Sequence, residues 1–231
     1  MKKNILISAL ALFICLGFTG NAQNIRLNLY GNYVFDDHVD SYYSNTSYFN
    51  GTIKGGFLWG AGVEYRLHKD YGLELLYLRL DTHAPVDYYD NSGLNPGVKS
   101  KTLDLAVNYI LLGGARSIYS NEKVEAYGGI MAGAAIFNTE NKDTKESQSA
   151  TKFAWGLRLG GNIWVSNAIG IKLQTQILSA TQAVGGGIYF GTGGAGAGVS
   201  SYSSMLQFVL GGGLVFRFGH VAAPTAPKPQ P

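Results

Sequence analysis

The chain from Met205 to Phe218 alternates strictly. Leu206, Phe208, Leu210, Gly212, Leu214, Phe216 and Phe218 fall on one side, and Met205, Gln207, Val209, Gly211, Gly213, Val215 and Arg217 on the other, because successive strand residues point to opposite faces. The same period recurs upstream. Ile25 to Phe35 sets Ile25, Leu27, Leu29, Tyr33 and Phe35 against Arg26, Asn28, Tyr30, Asn32 and Val34, and a second strand sets Phe57, Trp59, Val63, Tyr65 and Leu67 against Leu58, Glu64 and Arg66. A third sets Tyr71, Leu73, Leu75 and Tyr77 against Glu74, Leu76 and Leu78, with Arg79 on the apolar side, as a rim position or a bulge would explain. In the fourth, Leu103, Leu105, Val107, Tyr109 and Leu111 oppose Thr102, Asp104, Ala106, Asn108 and Ile110. The fifth, around Glu125 to Phe137, is so rich in Gly and Ala that its faces are ambiguous, and Glu125 is assigned inward. The sixth places Phe153, Trp155, Leu157, Leu159 and Ile163 opposite Arg158 and Asn162, and the seventh Ile169, Ile171, Leu173, Thr175 and Ile177 opposite Lys172, Gln174 and Gln176.

This makes eight strands of roughly 11 to 14 residues, long enough to cross a bilayer when tilted. Long segments follow the first, third, fifth and seventh strands, and shorter turns such as His68-Lys69-Asp70 and Ser166-Asn167-Ala168 follow the others. The pattern predicts an all-β protein, an eight-stranded antiparallel transmembrane β-barrel with long extracellular loops, short periplasmic turns and both termini periplasmic. Tyr33, Phe35, Phe57, Trp59, Tyr77, Phe153 and Trp155 then form one aromatic girdle, and Tyr65, Tyr71, Tyr109, Phe216 and Phe218 the other. A soluble eight-stranded barrel would turn its apolar face inward and show the same periodicity. The choice rests on the charges: six of the eight strands carry ionisable groups on the less apolar face, and filling a narrow soluble core with them would be very costly.

The first 22 residues carry Lys2 and Lys3, an apolar run from Ile5 to Phe18 and a small-residue site ending at Ala22, the three parts of a cleavable secretory signal. The apolar run is too short for a spanning anchor, which needs about 20 residues. Cys15 follows Ile14 in that run and lacks a lipoprotein context. Cleavage after Ala22 removes the one cysteine, so the exported protein has no disulfide. It also leaves 16 of the 18 basic residues against 15 acids, a net of about +1, with no basic footprint for nucleic acid. The division is therefore a signal peptide over 1–22, a barrel over 23–219 and a Pro-rich periplasmic tail over 220–231.

Nine charges are expected to face the lumen: Arg26, Glu64, Arg66, Glu74, Asp104, Glu125, Arg158, Lys172 and Arg217. In a barrel this small, side chains fill the interior, so interleaved charges read as an ionic network before they read as a selectivity ring. His38, among Asp36, Asp37 and Asp40, and His83, near Asp81, suggest a metal site or a base, but no serine sits at a recognisable spacing from either. No catalytic, metal or cofactor-binding residue is assigned. The run Gly191 to Gly196 has the letters of a dinucleotide fingerprint without the helix that the motif requires. Tyr42, Tyr43, Tyr88 and Tyr89 lie in long segments rich in Ser, Asn and Gly, a composition suited to recognition.

The signal, the alternating breaks and the closing Val215-Phe216-Arg217-Phe218 resemble the small outer-membrane barrel families, the OmpA-type transmembrane domains and OmpX-like proteins. The Ala22-Gln23 context and the segments Tyr71–Asp81 and Leu103–Gly114 are similar to outer-membrane β-barrel proteins of Bacteroidota. The resemblance implies an integral protein of the bacterial outer membrane, in contact with outer-membrane lipid and lipopolysaccharide. It also implies that the barrel-assembly machinery reads Phe216 and Phe218, although here a Pro- and Ala-rich tail follows where such chains usually end. Three functions follow in order: a non-enzymatic envelope barrel whose loops bind an extracellular ligand or adhere, a narrow porin-like channel for small solutes, and a lipid A-modifying barrel enzyme.

Overall fold

A strand with an apolar face on one side and charges on the other must bury one of them, and pairing decides which. The computed structural model describes residues 24–44, 47–90, 97–119, 121, 123–140, 147–181, 187–191, 194–198 and 205–218. Its strands in chain order are β1 (Ile25–Val34), β2 (Asp37–Ser44), β3 (Ser47–Ile53), β4 (Gly56–His68), β5 (Tyr71–Asp90), β6 (Gly97–Tyr119), β7 (Val124–Glu140), β8 (Ser147–Trp164), β9 (Ile169–Thr181), β10 (Gly187–Gly191), β11 (Gly194–Gly198) and β12 (Met205–Phe218).

Eight of them close an antiparallel ring in the order β1, β4, β5, β6, β7, β8, β9, β12, with β12 returning to β1 through Ile25 opposite Phe218. The row of paired residues that leaves β1 at Ile25 runs through Tyr65, Leu73, Gly114, Ile130, Leu157 and Ile177 to Phe208. The Phe208 carbonyl accepts the Phe35 N–H at 3.0 Å, ten positions along from Ile25. A stagger of about ten residues over eight strands spaced about 4.8 Å apart tilts each strand by about 40°.

The seam at β12 requires glycines, because the neighbouring backbones approach closely. A side chain on Gly213 would run into the Leu29 carbonyl, one on Gly212 into the Lys172 carbonyl and one on Gly211 into the Asn32 backbone.

One end of the ring carries short turns, and the other continues into hairpins. The segments on either side of residues 91–96, expected as loop from Thr82 to Ser100, pair from Tyr71 opposite Arg116 to Asp90 opposite Gly97. The hairpin of β2 and β3 leans on β5 through Phe49 opposite Tyr88. Of the glycine-rich run, Gly191 ends β10 and Gly194 to Gly196 lie in β11, which pairs with it. Arg79 occupies a regular outward position opposite Trp59 and Asn108, and the bulge falls instead between Arg66 and His68.

The outward face is an apolar belt in which Leu67, Leu75, Ile130, Leu159 and Leu173 are all more than half exposed, and exposure on that scale fits lipid rather than water. Tyr33, Phe35, Phe57, Trp59, Tyr77 and Phe153 ring it toward the hairpin end, and Tyr65, Tyr71 and Phe218 toward the turn end. Trp59 and Tyr77 meet edge to face at 6.2 Å, and Phe35 meets Phe208 at 5.5 Å.

The fourth strand of the sequence, β6, is the exception. Leu103, Leu105, Val107, Tyr109 and Leu111, expected to face lipid, are buried inside, while Ile110 and Leu112 face out. Tyr109 therefore belongs to the interior and not to a girdle. Its own alternation is apolar on both faces, so the choice falls to its neighbours: Leu76, Leu78 and Leu80 pair with Leu111, Tyr109 and Val107, and directly paired residues point to the same side.

Candidate functional site in the barrel lumen

The interior has two halves. Toward the hairpin end it is apolar: Val34, Leu58, Leu78, Leu80, Val107, Tyr109, Ala135, Leu178 and Val209 belong to one cluster, each with no exposed surface. The Tyr109 hydroxyl donates to Gln207 Oε1 at 2.9 Å, which satisfies the polar tip that such a ring brings into an apolar layer. Packed side chains close the bore at this level.

Toward the turn end the same faces become charged. Arg26 Nη1 lies 3.0 Å from Glu125 Oε1 and 3.5 Å from Glu64 Oε1, and Arg66 Nη1 lies 3.0 Å from Glu64 Oε1 and 3.5 Å from Glu125 Oε1. These four side chains form a ring of alternating sign, all under a tenth exposed. Ser117 Oγ accepts from Arg66 at 2.9 Å, and Trp164 Nε1 donates to Glu125 Oε2 at 3.3 Å. The Tyr119 hydroxyl accepts from both Arg26 and Arg66.

Above this ring, Glu74 is ion-paired with Arg158 and accepts from Tyr30 at 2.6 Å and Asn28 at 2.7 Å. Glu64 and Glu74 stand directly opposite each other on β4 and β5. Like charges so placed repel, and the arginines on both sides offset the repulsion. Tyr127 donates to Gln174 at 2.9 Å, and Gln174 donates to Asn32 Oδ1 at 3.2 Å.

Of the nine charges expected in the lumen, the fold brings Arg26, Glu64, Arg66, Glu74, Glu125 and Arg158 into ion pairs. Lys172 is buried beside them, with its ammonium 4.5 Å from the Tyr127 ring, and Arg217 stacks on Trp164 at 3.7 Å near the turn end. Asp104 does not enter the lumen. It faces outward with the rest of the reversed face of β6 and lies 2.6 Å from His83 Nδ1. Asn28, Tyr30, Ser117, Tyr119, Tyr127 and Trp164 complete the network and were not singled out. Asn28 and Tyr30 share the inward alternation of Arg26, whereas Ser117 and Tyr119 lie in the part of β6 that the sequence reads as a turn.

Outside the barrel, at the hairpin end, a cleft of about 470 Å³ is lined by Arg79, Asp81, His83, Asp104, Asn138, Glu140 and Ser147. Pairing puts His83, Asp104, Glu140 and Ser147 in one row across four strands. His83 and Ser147 are three strand spacings apart, roughly 14 Å, so the histidine and its carboxylate have no serine within reach in that row. No group of three metal-ligating side chains comes together among the described residues. Phe216 and Phe218 lie on the outward side of β12, paired with Leu27 and Ile25. The side chains of His38, Tyr42, Tyr43, Tyr88 and Tyr89, and all of residues 1–23 and 219–231, lie outside the described residues.

No protein-family model matches the sequence, and no curated protein matches it. Solved structures do match in shape. The outer membrane protease OmpT of Escherichia coli aligns with a TM-score of 0.53 at 10% identity, covering 88% of this chain and 99% of that one. Neisserial surface protein A aligns with a TM-score of 0.51 at 12% identity over 84% and 97% of the two chains, and OprG of Pseudomonas aeruginosa with 0.50 at 12% identity over 86% and 97%. The ring of eight strands, its outward apolar belt and these likenesses define the class: the fold is that of the small outer-membrane β-barrels.

Proposed function

We propose that this chain is an integral barrel of a bacterial outer membrane that supports the envelope without catalysis and offers its long hairpins for binding outside the cell. The single observation behind this reading is that the lumen is filled twice over. The Arg26–Glu64–Arg66–Glu125 ring occupies the turn end, and the apolar layer around Leu78 and Tyr109 occupies the hairpin end. A bore closed by packed side chains favours a wall over a conduit. In this reading the turn end faces the periplasm, residues 1–22 are removed as a signal, and the Pro-rich residues 220–231 lie on the periplasmic side. Planar bilayers containing the purified, refolded protein test the proposal. The expected result is conductance far below that of a wide porin, and large, steady open channels would replace it with the solute-channel reading.

The enzyme reading keeps one structural foothold in the close His83–Asp104 pair. Loss of a lipid A deacylation or palmitoylation activity on His83→Ala would revive it. For the binding role, replacing Tyr42, Tyr43, Tyr88 and Tyr89 by Ser is expected to weaken attachment to host matrix, cells or phage, and unchanged attachment would remove those loops from the proposal.

A further inference from the structure

The cleft of about 470 Å³ on the outer wall stands clear of the lipid belt. Tyr77 of β5 belongs to the aromatic girdle, and the next side chains outward along that strand are Arg79, Asp81 and His83. A strand that rises about 3.3 Å per residue and tilts by about 40° gains about 2.5 Å of height per residue, which sets His83 about 15 Å above Tyr77. Asn138 and Glu140 are paired through β6 with Asp81 and His83, and the stagger of the ring carries them higher still. The headgroup region of a bilayer is only about 5–8 Å thick on each side. A phospholipid head therefore ends below most of the cleft, whereas a lipid whose head is extended by sugars reaches it.

The lining suits hydroxyl groups. Arg79 is fixed by Asp81, whose carboxylate accepts from Nε at 2.9 Å and from Nη2 at 2.6 Å, and by Asn108 Oδ1 at 3.4 Å. His83 Nδ1 lies 2.6 Å from Asp104 Oδ1, so the imidazole is also held in place. Glu140 stands directly opposite Asp104, where like charges repel, and a hydroxyl between the two would donate to either. Asp81, Asp104 and Glu140 outnumber the Arg79 guanidinium and the His83 ring. That balance makes the cleft a poor seat for a phosphate and a good one for uncharged donors, because ionised carboxylates only accept. Its volume lies within the range of small-ligand sites, about 300–1,000 Å³.

We infer that this cleft binds the uncharged sugars that an outer-leaflet glycolipid carries beyond its phosphates. The inference rests on the reading that the hairpin end faces outside the cell. A glycolipid confined to the same leaflet meets the wall at an effective concentration on the order of millimolar, so an open cleft fills from the membrane before it fills from solution.

Native mass spectrometry of the full, refolded chain in detergent tests the site with three probes at equal concentration. They are lipopolysaccharide with its core sugars, lipid A, which keeps the headgroup phosphates and acyl chains without that core, and phosphatidylglycerol. The sugar-bearing lipid should be retained several-fold more than the other two, and Asn138→Ala/Glu140→Ala, which changes only exposed positions, should remove the preference. Should that variant give no folded band on a gel, Arg79→Gln on β5 serves in its place. Equal retention of lipid A would overturn the inference in favour of phosphate recognition, and a preference that survives the substitutions would place the sugars elsewhere on the wall. Displacement of the lipid by micromolar free core oligosaccharide would overturn the membrane as the source. Orientation is read separately on whole cells, where Lys54→Cys, at the height of His83 through its backbone bond to the His83 carbonyl, should react with a membrane-impermeant maleimide. No reaction there would overturn the outside placement and the inference with it, whereas reaction together with equal retention of lipid A would remove the sugar site alone.

Discussion

The Glu74–Arg158 pair offers the most direct test of how the lumen is held together. Glu74 is 1% exposed and is the shared acceptor of Arg158, Tyr30 and Asn28. Glu74→Leu removes that acceptor and leaves a guanidinium buried without a counter-charge. Breaking one side of a buried ion pair costs about 3–5 kcal/mol, whereas replacing both sides by apolar groups is often close to neutral. The double variant Glu74→Leu/Arg158→Met still leaves the Tyr30 hydroxyl without its acceptor, at about 1–3 kcal/mol. The single variant is therefore expected to lose about 4 kcal/mol, and the double variant to recover about half of it. With a urea slope of about 2 kcal/mol per molar, the single substitution moves the midpoint down by roughly 2 M. The assay is urea unfolding in lipid vesicles, followed by tryptophan fluorescence and by the mobility difference between folded and unfolded barrel on a gel. A single variant that unfolds within about 0.5 M of wild type, or a double variant as unstable as the sum of the two singles, would refute the idea that ionic compensation governs this layer.

Three further outcomes follow from the same geometry. Asp104→Ala, on the outer face with His83, should change stability by less than about 1 kcal/mol, as exposed pairs do, while Glu125→Ala should cost about 3 kcal/mol because Arg26 and Arg66 share that carboxylate; comparable midpoints for the two would contradict the assigned faces. Leu78→Ala should cost about 2–5 kcal/mol through the cavity it leaves, and a urea midpoint equal to wild type would take Leu78 out of the packed apolar layer. Gly213→Val should prevent closure of β12 on β1 and yield no folded band on a gel, whereas Gly114→Ala, where an added side chain meets nothing within 4 Å, should fold like wild type.

Much of the wall was legible because a spanning strand repeats every two residues and the charges mark one side of it. Arg26, Glu64, Arg66, Glu74 and Arg158 each sit in a strand whose other face is plainly apolar, so their inward direction could be read from local pattern. Glu125 was legible only through its charge, since Gly128, Gly129, Ala132 and Gly133 around it discriminate neither face. Asp104 failed for the opposite reason. Its strand is apolar on both sides, and a lone acid suggested the lumen when the lumen at that height is a leucine layer. The full lengths of β5 and β6 were not legible because the sequence beyond Thr82 and beyond Leu112 is rich in Gly, Asn, Asp and Ser, which reads as turn.

The sequence by itself determined the number of strands in the ring, the alternation of long and short connections and which residues form most of the apolar belt. These are local consequences of a two-residue period and of turn composition. Only the tertiary structure decided the direction of β6 and the separation of the interior into an ionic half and an apolar half. Those features depend on register. A stagger of about ten residues sets residues far apart in the chain at the same height in the bore, and no single strand contains that information.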